Sequence, residues 1–241
     1  MADAARKRVT LTTPKGSFRF PKLTEPDYGN DKFPKPDGEY SVQLVLKADS
    51  KEAKDLIKKL QPLYDKAMEN ADAEFKKLPV GTRKKLGDVK PNDLFSTLYD
   101  KETEEPTGDI SFKFAMKAGG TNKKTNKKWS RKPALFDAKG KPVTGIEVWG
   151  GTVGKVSFSV EEGGYFIPGT GAAGLKLSLE AVQIIELRQG GERDASGYGF
   201  GTEDGFDGDT VSGRTNRFDE DEENTEDANT EDGNEASEDD F

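Results

Sequence analysis

Nine cations crowd residues 117–141: Lys117, Lys123, Lys124, Lys127, Lys128, Arg131, Lys132, Lys139 and Lys141, against one acid, Asp137. Trp129 stands in their midst. Cations at this density do one kind of chemistry well. Each neutralises a phosphate and releases condensed counterions, an attraction blind to base sequence. An exposed indole adds a face on which a base stacks, worth about 1–3 kcal/mol. The blander reading is a solvated loop with Trp129 turned into the core. High charge in a loop setting favours the nucleic-acid surface.

A second candidate is Tyr165-Phe166-Ile167-Pro168, bracketed by Gly163, Gly164 and Gly169. Neighbouring side chains on an extended chain point to opposite faces, so at least one ring faces outward. Stacking of Tyr165 or Phe166 on a base and plugging of a barrel end both fit at this point. Residues 169–174 match the spacing of a dinucleotide fingerprint, but that motif needs a helix after it. Leu175-Lys176-Leu177-Ser178-Leu179 reads as a strand, so a hairpin loop is expected instead. The carboxylate pairs Glu104–Glu105 and Glu161–Glu162 are adjacent in surface-like positions, with nothing that makes them converge on a metal or an acid–base dyad. No metal and no cofactor is expected.

The chain lacks Cys and His altogether. Thiol nucleophiles, disulfides, thiolate metal sites and imidazole acid–base chemistry are thereby excluded. No apolar run approaches the ~20 residues that span a bilayer. Arg6, Lys7 and Arg8 have no hydrophobic stretch after them, so no secretory signal is read. A soluble, intracellular protein is the expectation. The net charge of −8 hides a division: +8 over residues 1–188, −3 over 189–218 and −13 over 219–241. The body is basic and the tail acidic. The tail reads as a solubilising extension or as a tethered polyanion that competes with nucleic acid for the basic body. The last residues, Asp239, Asp240 and Phe241, place an apolar side chain beside a carboxylate, something a partner could grip.

Periodicity supplies the frame. Alternation predicts strands at 17–20, 40–47, 110–117 and 153–160, with the longest at 175–188. Ala134-Leu135-Phe136 and Ile146-Glu147-Val148-Trp149 are expected to pair as a hairpin about the turn at 137–141. Residues 21–38 read as a loop containing the turn Pro26-Asp27-Tyr28-Gly29-Asn30, and 78–105 as a loop-rich connection. Asp49-x-x-Glu52 reads as a capping box opening one helix through Phe75, with Pro62 kinking or dividing it. Short strands around one inserted helix imply a small barrel or sandwich. Beyond Gln189 the sequence turns to Gly, Asp and Ser, then to the near-repeat Asn224-Thr225-Glu226-Asp227 and Asn229-Thr230-Glu231-Asp232. The expected division is a folded domain over 1–189 and a disordered acidic tail over 190–241.

The order of these features resembles the replication single-stranded DNA-binding proteins of short-tailed, T7-type phages. The resemblance is carried by Pro26-Asp27-Tyr28-Gly29-Asn30, Gly38-Glu39-Tyr40, Phe112-Lys113-Phe114, Asn122-Lys123-Lys124-Thr125 and Asp137-Ala138-Lys139-Gly140-Lys141. Leu175-Lys176-Leu177-Ser178-Leu179-Glu180 and the acidic ending on Asp240-Phe241 complete it. It implies a five-stranded oligonucleotide/oligosaccharide-binding (OB) barrel with an inserted helix, no catalysis, and protection of single-stranded DNA in phage replication and recombination in the host bacterial cytoplasm. By the same resemblance Tyr165 stacks on a base, Lys113 and the basic loop after it contact the backbone, and the tail contacts the replicative DNA polymerase and the primase-helicase. It leaves oligomeric state open, a homodimer included. Trp129, Arg131-Lys132 and Phe166-Ile167 depart from the family pattern.

Two other classes compete. An acidic-tail interaction protein of histone-chaperone type would make the tail the working surface. A nuclease would hold Mg²⁺ on carboxylates.

Overall fold

Alternation of apolar side chains builds the strands, and the computed structural model, which describes residues 7–189, shows where they close. The β-strands are β1 (Arg8–Thr12), β2 (Gly16–Gly29), β3 (Pro34–Lys47), β4 (Lys90–Pro91), β5 (Ser96–Tyr99), β6 (Pro106–Lys117), β7 (Gly119–Thr121), β8 (Lys128–Ser130), β9 (Ala134–Phe136), β10 (Val153–Glu161), β11 (Tyr165–Phe166), β12 (Ala172–Gly174) and β13 (Ser178–Glu186). Two helices, α1 (Lys51–Lys77) and α2 (Val80–Leu86), lie between β3 and β4. Five strands form a closed ring in the order β2, β3, β6, β13, β10 and back to β2. All neighbours are antiparallel except β6 and β13. This is the OB barrel.

The inward rows fill the ring. Val42 and Leu44 on β3, Phe112 and Phe114 on β6, Val156, Phe158 and Val160 on β10, and Val182 on β13 are fully buried. Phe114 and Phe158 meet across the core with centroids 4.8 Å apart. Each such ring contributes about 1.5–3 kcal/mol, and its removal costs about 3–5 kcal/mol once the cavity is counted. The seam between β10 and β2 needs glycine: a Cβ on Gly154 would lie 2.4 Å from the Gln183 carbonyl oxygen, and one on Gly16 2.8 Å from that of Val45.

Helix α1 caps one end, burying Ala53, Leu56 and Leu60 in the barrel core. Its cap is Ser50, whose hydroxyl accepts from Ala53 N and donates to the Lys47 carbonyl, so the expected box at Asp49 is one residue early. The helix also runs undivided through Pro62. The buried face continues beyond it at Ala67 and Ala71, and that packing outweighs the ~3 kcal/mol cost of an interior proline.

Several other expectations change. Residues 21–38 are not a loop: β2 and β3 extend as a long irregular arm that turns only at Asn30 to Phe33. Pro21, Pro26 and Pro36 sit where register shifts spare the ladder their missing N–H groups, and Pro34 is the first residue of β3. Phe20, at φ 48°, marks one shift, which is why buried Phe18 and Leu23 stand an odd number of residues apart. The 78–105 connection carries α2, β4 and β5, so there are two helices rather than one. Ile146 to Trp149 forms no strand; β9 pairs in parallel with β13, and only Phe136 and Pro142 bridge the 137–141 turn. The longest strands are β2 and β3, while β13 starts at Ser178, with residues 175–177 outside any strand. The expected tail, with Asp239, Asp240 and Phe241, lies outside the described residues.

Candidate nucleic-acid interface

The outer face of β3 and β6 is polar. Lys117, Ala115, Lys113 and Ser111 on β6 pair with Glu39, Ser41, Gln43 and Val45 on β3. Lys113 and Lys117 both point outward, since Phe112, Phe114 and Met116 take the core side. Lys117 is ion-paired with Asp37 at 2.9 Å, and Lys113 stands 4.0 Å from the Glu39 carboxylate.

Over this face lies the connection between β10 and β13, which carries Tyr165 on β11. It is held from beneath by α1. Gly164 packs on Ala67, the Asn70 amide donates to the Gly163 carbonyl at 3.4 Å, and Lys66 pairs with Glu162 at 3.4 Å. Phe166 turns to the helix, edge-on to Phe75 at 6.4 Å. Tyr165 turns the other way. Its hydroxyl accepts from Asn92 Nδ2 at 2.5 Å, and Asn92 is itself fixed by its backbone N–H to the Ala173 carbonyl. Tyr165 is the wall shared by two grooves. One, of 430 Å³, contains Lys113, Asn92 and Lys176; the other, of 540 Å³, contains Arg8, Arg131, Lys132 and Lys176. A half-exposed ring fixed between rows of cations can stack a base while the cations hold its phosphates.

The basic loop is a hairpin of β7 and β8 with a six-residue turn. Asn122 organises the turn, its side-chain oxygen accepting from Lys124 N and Thr125 N. Lys123, Lys124, Lys127, Lys128 and Lys132 are exposed, and among the described residues none has an ion-pair partner. Trp129 lies flat on Gly120, where a Cβ would come within 3.0 Å of the indole, and remains 39% exposed. The Arg131 guanidinium sits 5.2 Å from that ring, and its Nε donates to the Lys117 carbonyl at 2.9 Å. Partial burial, then repulsion from Arg8, lowers the Arg131 pKa against the pull of Glu180. It stays charged, because arginine starts so far above neutrality.

Sequence reasoning missed Arg8, Asn92 and Lys176. Lys176 is readable as the outward member of Leu175-Lys176-Leu177, whereas Asn92 gains its role only from the pairing of β4 with β12. Phe33, 75% exposed at the β2–β3 turn, is a further ring at the loop that borders the binding face of OB barrels. A cavity of 710 Å³ beside Trp149 does not include Tyr165. Among the described residues no group of three or more His, Cys, Asp or Glu could hold a metal, and no helix is long and apolar enough to cross a membrane.

The family described as “Single-stranded DNA-binding protein, Bacteriophage T7” matches residues 17–187, from β2 through β13. The chain belongs to that family. The T7-type relatives are distant but extensive. The single-stranded DNA-binding protein of Enterobacteria phage T3 is 27% identical over 186 residues, 76% of this chain and 78% of that protein. That of Escherichia phage T7 is 27% identical over 177 residues, 71% and 74% respectively. The crystal structure of gp2.5, the single-stranded DNA-binding protein of bacteriophage T7, superposes with a TM-score of 0.59 at 25% identity, covering 77% of this chain and 96% of the other. The T7-type resemblance read from the short motifs therefore extends to the whole barrel.

Proposed function

We propose that this chain binds single-stranded DNA across the β3–β6 face, coating and protecting it during phage replication and recombination in the host cytoplasm. The observation that carries the reading is Tyr165, pinned by Asn92 between grooves that hold Lys113, Lys176, Arg131 and Lys132. Membership of the T7-type family supports it. Lys117, Lys123, Lys124, Lys127 and Lys128 guide the backbone along the hairpin, with Trp129 as a second platform for a base. The role is binding, not catalysis. Phe166, although next in sequence, takes part by anchoring the loop on α1.

The acidic residues 219–241 compete with DNA for this basic surface, and Asp239, Asp240 and Phe241 recruit replication proteins, the replicative polymerase and the primase-helicase among them. The charge division supports the first statement: thirteen acids without a cation follow a body of charge +8. Titration of intrinsic tryptophan fluorescence with oligo-dT tests the reading, full chain against a chain ending at Gly190. Binding should exceed that of duplex, fall with a salt slope of about −0.7 per phosphate contact, and tighten without the tail at low salt. Equal affinity for duplex, or a flat salt response, removes the proposal. Unchanged affinity after truncation removes tail competition alone. A full-strength polymerase complex without Phe241 removes the recruitment role.

A further inference from the structure

Residues 76–90 hold six cations, Lys76, Lys77, Arg83, Lys84, Lys85 and Lys90, against one acid, Asp88. The fold places this segment beside the Tyr165 loop. The end of α2 packs on the β11–β12 turn: a Cβ on Gly171 would lie 3.1 Å from the Asp88 carbonyl oxygen and 3.9 Å from Leu86. Strand β4 then runs parallel to β12, with Lys90 opposite Ala172 and its N–H donating to the Gly171 carbonyl at 2.8 Å. Asn92, which fixes Tyr165, is two residues further on, about 7 Å along an extended strand.

The charges here are uncompensated. Lys77 alone of the six is ion-paired, with Glu74 at 2.6 Å. Among the described residues the other five have no carboxylate partner, and Lys84, Lys85 and Lys90 are exposed. Arg83 Nε is buried without a hydrogen-bond acceptor, a donor left unmet. Like charges held together without a counter-charge strain the folded state, so their gathering beside a groove points to a polyanion that neutralises them.

We infer that α2 and β4 form a second phosphate-binding station, which takes the backbone of single-stranded DNA as it leaves the Tyr165 groove. The inference rests on the reading that this groove binds DNA and lengthens its footprint. β4 is the bridge, since one short segment holds the stacking ring at Asn92 and presents a cation at Lys90.

The test is the full chain carrying K84Q, K85Q and K90Q together, at exposed positions where the fold is untouched, titrated with oligo-dT of about 6 and about 25 nucleotides. The long oligonucleotide should bind about tenfold more weakly, with its salt slope reduced by about 2, from three contacts at about 0.7 each. The short one, filling the Tyr165 groove alone, should bind within about twofold of the unaltered chain, as single-site occupancy requires. Tyr165→Ala, by contrast, should weaken both. Equal loss at both lengths would reduce the cluster to a diffuse field and overturn the station. No loss at either length would overturn it in favour of an acidic protein partner. If the unaltered chain binds neither oligonucleotide, the groove reading itself fails, and this inference with it.

Discussion

Two regions offer an aromatic ring among cations, and they are built on opposite plans. Tyr165 is fastened from several directions: its hydroxyl to Asn92, its strand to β12, and its loop to α1 through Gly164 and Phe166. Trp129 sits on a two-stranded hairpin joined in register only to itself, with glycine beneath the ring and free lysines along the turn. A fixed ring spends little entropy on ordering when a base arrives; a projecting hairpin spends more but reaches further. The difference teaches a division of labour. In the proposed complex the hairpin captures the polyanion at range, and the Tyr165 groove sets its position.

That contrast can be broken. The largest effect belongs to Tyr165→Ala, which should cost about 1–3 kcal/mol of single-stranded DNA binding with the melting temperature of the barrel retained. If it unfolds the domain, the ring is a plug and the two regions are not comparable as platforms. Next comes K127E with K128E. Affinity should fall severalfold at low salt, with a salt slope lower by about 1.4 for two lost contacts, and the deficit should shrink as salt rises. A loss that persists unchanged at high salt would mean that the hairpin positions as well as captures. Asn92→Ala sharpens the comparison further. It leaves the Tyr165 ring but frees it, so about 0.5–1.5 kcal/mol should be lost. Combined with Tyr165→Ala it should add almost nothing; full additivity in that double-mutant cycle would mean that Asn92 does not act through the ring.

The smallest effect is a pH dependence in the β2–β3 arm. Lys35 bridges Asp27 at 2.7 Å and Glu39 at 2.8 Å. The hydrogen bond from Lys35, then that from Gly29 N, holds the Asp27 carboxyl below its ordinary range, while Asp27 and Glu39 hold the Lys35 ammonium above its own. A lowered carboxyl pKa contributes stability above the unfolded value, lost as pH falls through the folded one; the raised ammonium contributes below its unfolded value, lost as pH rises through its folded one. Amide exchange over residues 27–39 should therefore quicken as pH drops below about 4, after correction for intrinsic rates, before the barrel loosens. Lys35→Met should abolish that step. The same step in the variant would assign it to other carboxylates.

The barrel strands were readable because each buries one face. Alternation located β10 nearly to the residue and the last eight residues of β6, and it did not show β1, whose apolar members are only Val9 and Leu11. What failed followed from physics that a single segment does not carry. Pro21 and Pro26 look like loop residues, but register shifts let them sit in a strand. Ile146 to Trp149 has the right composition for a strand yet joins no ladder, although β9 stands at an edge of the sheet. The site divided in the same way. Tyr165 and the lysines announced themselves by type and neighbourhood, whereas Asn92 matters only because β4 meets β12 from eighty residues away.

The closure of the ring has a consequence for handling the molecule. β13 is the final described strand and borders both β6 and β10, and β9 besides. The turn after it is also engaged: Arg188 N donates to Thr152 Oγ1 at 3.0 Å, and Trp149 N donates to the Arg188 carbonyl at 3.0 Å. A chain cut before Ser178 would strip β10 of its ladder with β13 and leave a row of bare N–H and C=O groups, apolar on one side, which is the template on which sheets from different molecules join. Such a fragment should precipitate or form mixed oligomers where a chain ending at Gly190 stays dispersed. The safe place for a stop codon, a tag or a fusion is thus set by β13, a strand whose Ser178, Leu179 and Glu180 also line one groove of the proposed DNA site.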